Sequence, residues 1–383
     1  MIGGAGLQPS GAGRSEAPQG ISMSPIVRED MEQILAALGP RAQAFSGETI
    51  LITGAAGFLG FYLTTFFVHF AAPLGIHRVV ALDNFQLGRP DWLSALAARA
   101  PDVLSVHHFD IAHDDLGAIA GADDAGFIVH AASIASPVFY RQFPLETVDA
   151  NIWGLRSLLD TFRQSARCKG FLFFSSSEIY GDPPAASIPT REDYRGNVAC
   201  LGPRACYDES KRFGETLCWI YASQYGLPIT IARPFNNFGP GMRLGDRRLP
   251  ADFAQAVMNG EDIVILSDGS PTRTFCYISD AIAGYLLCLT HGSYDFFNIG
   301  TSEPEISVRR FASLFQEAAV ELLGYRGQVR FGTSADPAYL TDNPNRRCPD
   351  IEKARAMLGY RPSVEPEVGI RRYLAFLRDE AGR

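Results

Sequence analysis

Residues 50–60 read ILITGAAGFLG, four strand-type residues followed by Gly54, Gly57 and Gly60 at the mouth of an apolar segment. The run Ile50–Thr53 has the composition of a buried strand, and Phe58 to Ala72 that of a buried helix too short to cross a bilayer. Bare α-carbons in the turn between them let the backbone approach a neighbouring group closely. The start of the following helix leaves N–H donors free, where negative charge is favoured. The spacing is G-x-x-G-x-x-G, not G-x-G-x-x-G, and glycine turns also join strands to helices for steric reasons. Context must therefore carry the reading.

Working outward, short runs rich in β-branched and aromatic residues recur at 79–83 (VVALD), 104–110 (LSVHHFD), 127–131 (FIVHA), 171–176 (FLFFSS) and 229–233 (ITIAR), with helical patterns between them. Near-continuous apolar strands spaced for crossover helices predict an α/β fold, a Rossmann-type doubly wound parallel sheet covered on both faces. Beyond Arg233 the rhythm becomes irregular. A strand at 263–266 and a helix from Ser279 to Leu289 lead into a smaller C-terminal α/β region. The expected organisation is a disordered tail over 1–22, an N-terminal amphipathic helix within 23–46, a dinucleotide-binding domain over 47–235, and a mainly substrate-binding region over 236–383 with some segments returning to the first domain. In the N-terminal helix, Ser24-Pro25 reads as cap and first position, Val27, Met31, Ile34 and Leu38 as an apolar stripe packing on the main body, and Gly39-Pro40 as a stop.

Asp83 ends the second strand after the glycine turn. A carboxylate there accepts hydrogen bonds from both hydroxyls of an adenosine ribose and repels a 2′-phosphate, so the expected cofactor is NAD rather than NADP. Composition agrees with a soluble globular protein. The chain has 383 residues, 46% hydrophobic and 20% charged, with net charge -8. That balance leaves no general basic surface for nucleic acid. Seven cysteines form no C-x-x-C pair, which fits reduced thiols and a cytoplasmic protein, and the first residues lack the pattern of a signal peptide. The histidines offer no metal-binding spacing, so no metal is expected.

The stretch 202–218, GPRACYDESKRFGETLC, puts Tyr207 one helical turn ahead of Lys211. Residues at i and i+4 are neighbours, so the ammonium is expected to favour a phenolate. A free phenol titrates near 10, and making it a base at neutral pH requires roughly 4 kcal/mol of stabilisation, for which Lys211 and the positive nicotinamide ring of the expected cofactor are the two charges available. Ser176, in FFSSSEIYG, stands at the end of a predicted strand, where its hydroxyl can bond the same substrate oxygen. Glycine turn, serine and Tyr–Lys pair together specify removal of a proton and a hydride from one alcohol carbon.

With these residues in place, the sequence from about Gly47 onward resembles the extended short-chain dehydrogenase/reductases that epimerise, dehydrate or decarboxylate nucleotide sugars. The motifs SSSEIYGDP, GPRACYDESKR, FNNFGPGMR, TRTFCYISD and RRCPDIEKARAMLGYRP are most similar to those of the UDP-glucuronic acid decarboxylases, or UDP-xylose synthases. The resemblance implies catalytic roles for Ser176, Glu178, Tyr207, Lys211 and Arg347, with Arg347 on the substrate carboxylate. It implies cofactor contacts from Gly54, Gly57, Phe58, Leu59, Gly60, Asp83, Asn84, Asp110, Ile111, Ala131, Ala132, Tyr207 and Lys211. Substrate contacts are implied for Tyr140, Asn236, Arg273 and Arg347, the nucleotide sugar being UDP-linked, and a homodimer is implied. His130 is expected beside the cofactor without a catalytic role. Cys348, where the family usually has lysine, and Pro234, in place of an aliphatic residue, depart from the pattern. The rivals are a 4,6-dehydratase, which needs an acid where this chain has Ser177, a 4-epimerase, and a binding protein without turnover.

Overall fold

The computed structural model describes residues 23–334, 336, 341 and 343–382. The tail expected over 1–22 lies outside them. Six strands form where the apolar runs stand: β1 (Thr49–Thr53), β2 (Arg78–Asp83), β3 (Leu104–His108), β4 (Phe127–His130), β5 (Gly170–Phe174) and β6 (Ile229–Pro234). Their central residues, such as Ile50, Leu51 and Ile52, are fully buried, because helices cover both faces of the sheet. A seventh strand, β7 (Asp295–Ile299), completes the order β7-β6-β5-β4-β1-β2-β3. It runs parallel to β6, from Asp295 opposite Thr230 to Ile299 opposite Pro234.

The sequence reading had no strand at β7. Its five residues, DFFNI, open with a charged residue, follow an irregular stretch and acquire their strand character from pairing with β6. The chain builds outward from β1 to β3 and then returns to β4 on the other side of β1, so Thr53 lies opposite both Leu82 and His130. That reversal opens a crevice at the carboxyl ends of β1 and β4.

Helix α1 (Pro25–Leu38) starts as expected, with the Ser24 hydroxyl accepting a hydrogen bond from the Val27 amide at 3.2 Å. Val27, Met31, Ile34 and Leu38 are all buried, and the helix lies on the main body. Buried Asp30 accepts hydrogen bonds from Tyr62 at 2.6 Å and Tyr277 at 2.8 Å and pairs with Arg372 at 3.0 Å. Gly39 ends the α-helix at φ 52°, but the expected stop is incomplete. A tighter helical turn, Gly39–Phe45, continues and seats Phe45 against Phe67 and Phe127 with ring centroids 5.0 and 4.9 Å away.

The irregular region after β6 contains a three-stranded patch in which Thr272–Arg273 pairs antiparallel with Ile306–Ser307 and parallel with Arg346–Arg347. Arg273 and Arg347 are direct partners in that register, which brings two widely separated arginines to one side of the crevice. Among the described residues, no helix is long and apolar enough to cross a membrane.

Candidate active site

The glycine turn lies against the start of helix α2 (Phe58–His69). Gly60 packs so tightly on the turn that an added β-carbon would stand 2.3 Å from the Ala55 carbonyl oxygen, and one on Gly54, at φ +71°, would stand 2.6 Å from the Ala132 amide nitrogen. Side chains are thus excluded where a pyrophosphate would approach the backbone. Asp83 ends β2 with its carboxylate accepting from the Ala56 amide at 2.9 Å and the Phe85 amide at 2.7 Å. Burial raises its pKa, opposed by those two amides. A carboxylate held in this way fits the ribose hydroxyls of NAD and disfavours a phosphate on them. Asp110 is held below the ordinary range although burial opposes it, because the Ala112 amide, His113 and Asn84 donate to it.

All of the residues expected at the cofactor and the substrate line one cavity of about 500 Å³, within the size range of small-molecule sites. Gly54, Gly57, Phe58, Leu59, Gly60, Asp83, Asn84, Asp110, Ile111, Ala131 and Ala132 border it together with Tyr140, Asn236, Arg273 and Arg347. Ser176, Glu178, Tyr207 and Lys211 line the same cavity. His130, at the end of β4, is buried, with Nδ1 and the Thr53 hydroxyl 2.9 Å apart. Burial and then the Lys211 charge push its pKa down to about 3, so the ring is neutral and braces the strand ends.

Helix α3 (Ala205–Tyr225) carries Tyr207 and Lys211, both buried. The Tyr207 ring stacks on Tyr140 at 5.1 Å and hydrogen-bonds with Ser176. Lys211 donates to the Phe174 carbonyl at 2.8 Å and sits 5.8 Å from the centre of the Tyr207 ring. Burial outweighs the charge effect expected of Lys211. Burial pushes the Tyr207 phenol up to about 12, only partly opposed by Ser176, and pushes the Lys211 ammonium down to about 7. Placing both groups in one dry site penalises both charged forms, and helical spacing alone carries no information about that. A phenolate here needs a further positive charge beside the ring.

Glu178 gives the least expected arrangement. Its Oε2 accepts from Arg347 Nη2 at 2.7 Å and also from Arg204. Burial works against its charge, yet Arg204 and then Arg347 hold the carboxyl down to about 2. A proton-donating role at the substrate therefore does not suit Glu178, whereas holding water does. Arg204 and Asp208 were not singled out in the sequence. Both are buried, with Arg204 Nε 3.6 Å from Asp208 Oδ2. Burial and then Glu178 push Asp208 up to about 7.

Arg273, for which the resemblance implies a substrate contact, is buried at the cavity. Its guanidinium donates to the carbonyls of Thr272 at 2.8 Å, Asn345 at 3.2 Å and Pro344 at 2.6 Å, so no carboxylate is hydrogen-bonded to it among the described residues. Burial lowers its pKa to about 9, leaving an incompletely neutralised cation at the cavity wall. Asn236 stands at φ 43°, in the left-handed region, and its amide donates to the Thr274 carbonyl at 3.0 Å. The Tyr140 hydroxyl is buried without a partner among the described residues. Arg243, also missed, donates to Ala56 at 3.2 Å and Gly88 at 3.0 Å and to the Leu87 carbonyl, tying the loop after β6 to the glycine turn.

Residues 50–300 match the NAD dependent epimerase/dehydratase family. The chain belongs to this family. As a family member it is 35% identical over 333 residues to UDP-glucuronic acid decarboxylase 1 of Xenopus tropicalis, covering 86% of this chain and 72% of that protein. It is 33% identical over 326 residues to UDP-glucuronic acid decarboxylase 6 of Arabidopsis thaliana, covering 85% and 87%. Among solved structures, UDP-glucose 4-epimerase from Thermotoga maritima with UDP-glucose superposes with a TM-score of 0.74 at 25% identity, covering 87% of this chain and 99% of that one. A mutant UDP-glucuronic acid 4-epimerase from Bacillus cereus, solved with UDP-4-deoxy-4-fluoro-glucuronic acid and NAD, superposes with a TM-score of 0.72 at 25% identity, covering 87% and 99%. NAD is the cofactor of this family, and the glycine turn and Asp83 fit it.

Proposed function

We propose that this protein is a nucleotide-sugar decarboxylase, converting a UDP-linked uronic acid of the UDP-glucuronate type to the pentose nucleotide. The observation that carries the reading is the placement of two arginines on one carboxylate, Arg204 and Arg347 on Glu178, in the same cavity as Ser176, Tyr207 and Lys211. A site for dehydrating or epimerising a neutral sugar has no need of this excess of cationic groups. Relatives named UDP-glucuronic acid decarboxylase support the same choice.

In this reading Arg273 faces the diphosphate, and Tyr140 and Asn236 border the sugar. Tyr207 accepts the proton of the 4-hydroxyl, with Ser176 polarising the same oxygen. Bound oxidised NAD supplies a reversible hydride acceptor and a positive charge beside the phenol. With a ketone at C4, the carboxylate becomes a β-keto acid, which Arg347 orients. Carbon dioxide leaves as the C5–C6 bond breaks, its electron pair passing into an enolate whose oxygen Ser176 and the Tyr207 hydroxyl hold. Water beside Glu178 delivers a proton to C5, the hydroxide left behind taking a proton from solvent, and as the hydride is given back to C4 Tyr207 returns its proton to the re-forming alcohol.

Incubation of the NAD-loaded protein with UDP-glucuronate, followed by mass analysis, tests the reading. A pentose nucleotide with carbon dioxide is expected; an isomer points to 4-epimerisation, the reaction named for the Bacillus cereus neighbour, and unchanged substrate to a binding protein. Free thiols at all seven cysteines support residence in the cytoplasm. A homodimer is supported by exposed Phe213 and Trp219 on α3 and by exposed Leu145 and Trp153 on the adjoining segment 144–154. Analytical ultracentrifugation tests it: Trp219→Glu should shift a dimer toward monomer, and a monomeric parent protein would exclude it.

A further inference from the structure

Two guanidiniums converge on a single oxygen of Glu178, and they are held differently. Arg204 has only 6% of its side chain exposed. Besides Glu178 it faces Asp208 Oδ2 at 3.6 Å and the Tyr140 ring at 6.0 Å, and its carbonyl accepts the Tyr207 and Asp208 amides at 3.0 Å at the start of α3. It is thus fixed from behind by its own helix. Arg347 comes from a separate element, the short strand Arg346–Arg347. Among the described residues its 2.7 Å bond to Glu178 is the side-chain hydrogen bond it makes, and no second carboxylate forms an ion pair with it. Glu178 needs one cation, and the cation able to leave is Arg347.

We propose that Arg204 is a positioning residue that retains Glu178 when Arg347 turns to the carboxylate of an acidic nucleotide sugar, so that Arg204 sets the preference for a carboxylated sugar over an uncharged one. The inference rests on the functional reading above and adds to it a residue that does not itself meet the carboxylate. Without Arg204, Glu178 keeps Arg347, and an entering carboxylate must compete with a resident one. Competition for a charge-assisted hydrogen bond corresponds to a loss of about 10- to 100-fold in affinity. A ligand lacking the carboxylate does not enter that competition. Removing the resident anion as well should release Arg347 again.

The test is calorimetric titration of the full-length, NAD-loaded protein, carrying Tyr207→Phe throughout to suppress turnover, with UDP-glucuronate and with UDP-xylose. For Arg204→Gln, UDP-glucuronate binding should weaken about 10- to 100-fold and UDP-xylose binding less than about threefold. Arg204→Lys, which keeps a cation at the site, should recover much of the difference, and it carries the test alone if the glutamine variant does not fold. In the double variant Arg204→Gln/Glu178→Gln, UDP-glucuronate affinity should rise back to that of Glu178→Gln. Equal weakening of both ligands would reduce Arg204 to a structural role, and a double variant binding no more tightly than Arg204→Gln would remove the competition on which the proposal depends. Parent protein that binds UDP-xylose but not UDP-glucuronate would overturn the functional reading itself, and this inference with it.

Discussion

Replacing Gly60 by alanine sets two known effects against each other. Gly60 lies within α2 and outside the left-handed region, so helix propensity alone favours alanine by about 0.5–1 kcal/mol. The added carbon would stand 2.3 Å from the Ala55 carbonyl oxygen and 2.6 Å from both the Ala55 carbonyl carbon and the Gly54 oxygen. All three are backbone atoms of the turn, so relief requires that the turn move by about 1 Å rather than that a side chain rotate. Overpacking of this kind costs about 1–3 kcal/mol, which exceeds the propensity gain. Gly60→Ala should therefore be destabilised by about 1–2 kcal/mol in urea unfolding. Because the turn that shifts is the one expected to meet the pyrophosphate, NAD affinity in a calorimetric titration should fall at least about tenfold. A variant that is more stable and binds NAD as tightly as the parent would show that the glycine turn is a steric joint and not a cradle.

Three further perturbations address the chemistry. Tyr207→Phe should lower turnover by about 10²- to 10⁴-fold while UDP-glucuronate still binds, and retained turnover would remove Tyr207 as the base. Arg347→Ala should allow 4-hydroxyl oxidation, seen as NADH absorbance, while carbon dioxide release collapses; a normal release rate would exclude Arg347 from that step. Lys211→Met should stabilise the cofactor-free protein at pH 6. Burial lowers the Lys211 pKa from 10.5 to about 7, so the folded form bears a penalty for the charged amine that is complete below pH 7 and is relieved as pH rises toward 10.5. The advantage of the methionine variant should shrink by about 2 kcal/mol between pH 7 and 9, and a pH-independent difference would contradict the shift.

What could be read from the chain was what it encodes locally. The strand, turn and helix over Ile50–His69 follow from composition and spacing within a few residues, and Asp83 gains its meaning from ending the next strand. The Tyr207–Lys211 spacing correctly puts both side chains near one another, yet the direction of their pKa shifts depends on how completely α3 is buried. Arg204 stands in the same motif but resembles any charged residue before a helix until folding brings Glu178 to it. β7 and the Arg273–Arg347 pairing are likewise products of long-range register, in segments too short to show a period. The charge of Arg243 gave no hint of its use, because its hydrogen-bond partners among the described residues are backbone carbonyls.

The most direct measurement uses UDP-glucuronate carrying deuterium at C4. The hydrogen removed from C4 must return to the same carbon after the carboxylate has gone. The pentose nucleotide should therefore form with carbon dioxide and keep its deuterium at C4, without accumulation of NADH. A pentose that has lost the label, or a labelled product that still contains the carboxylate, would contradict it.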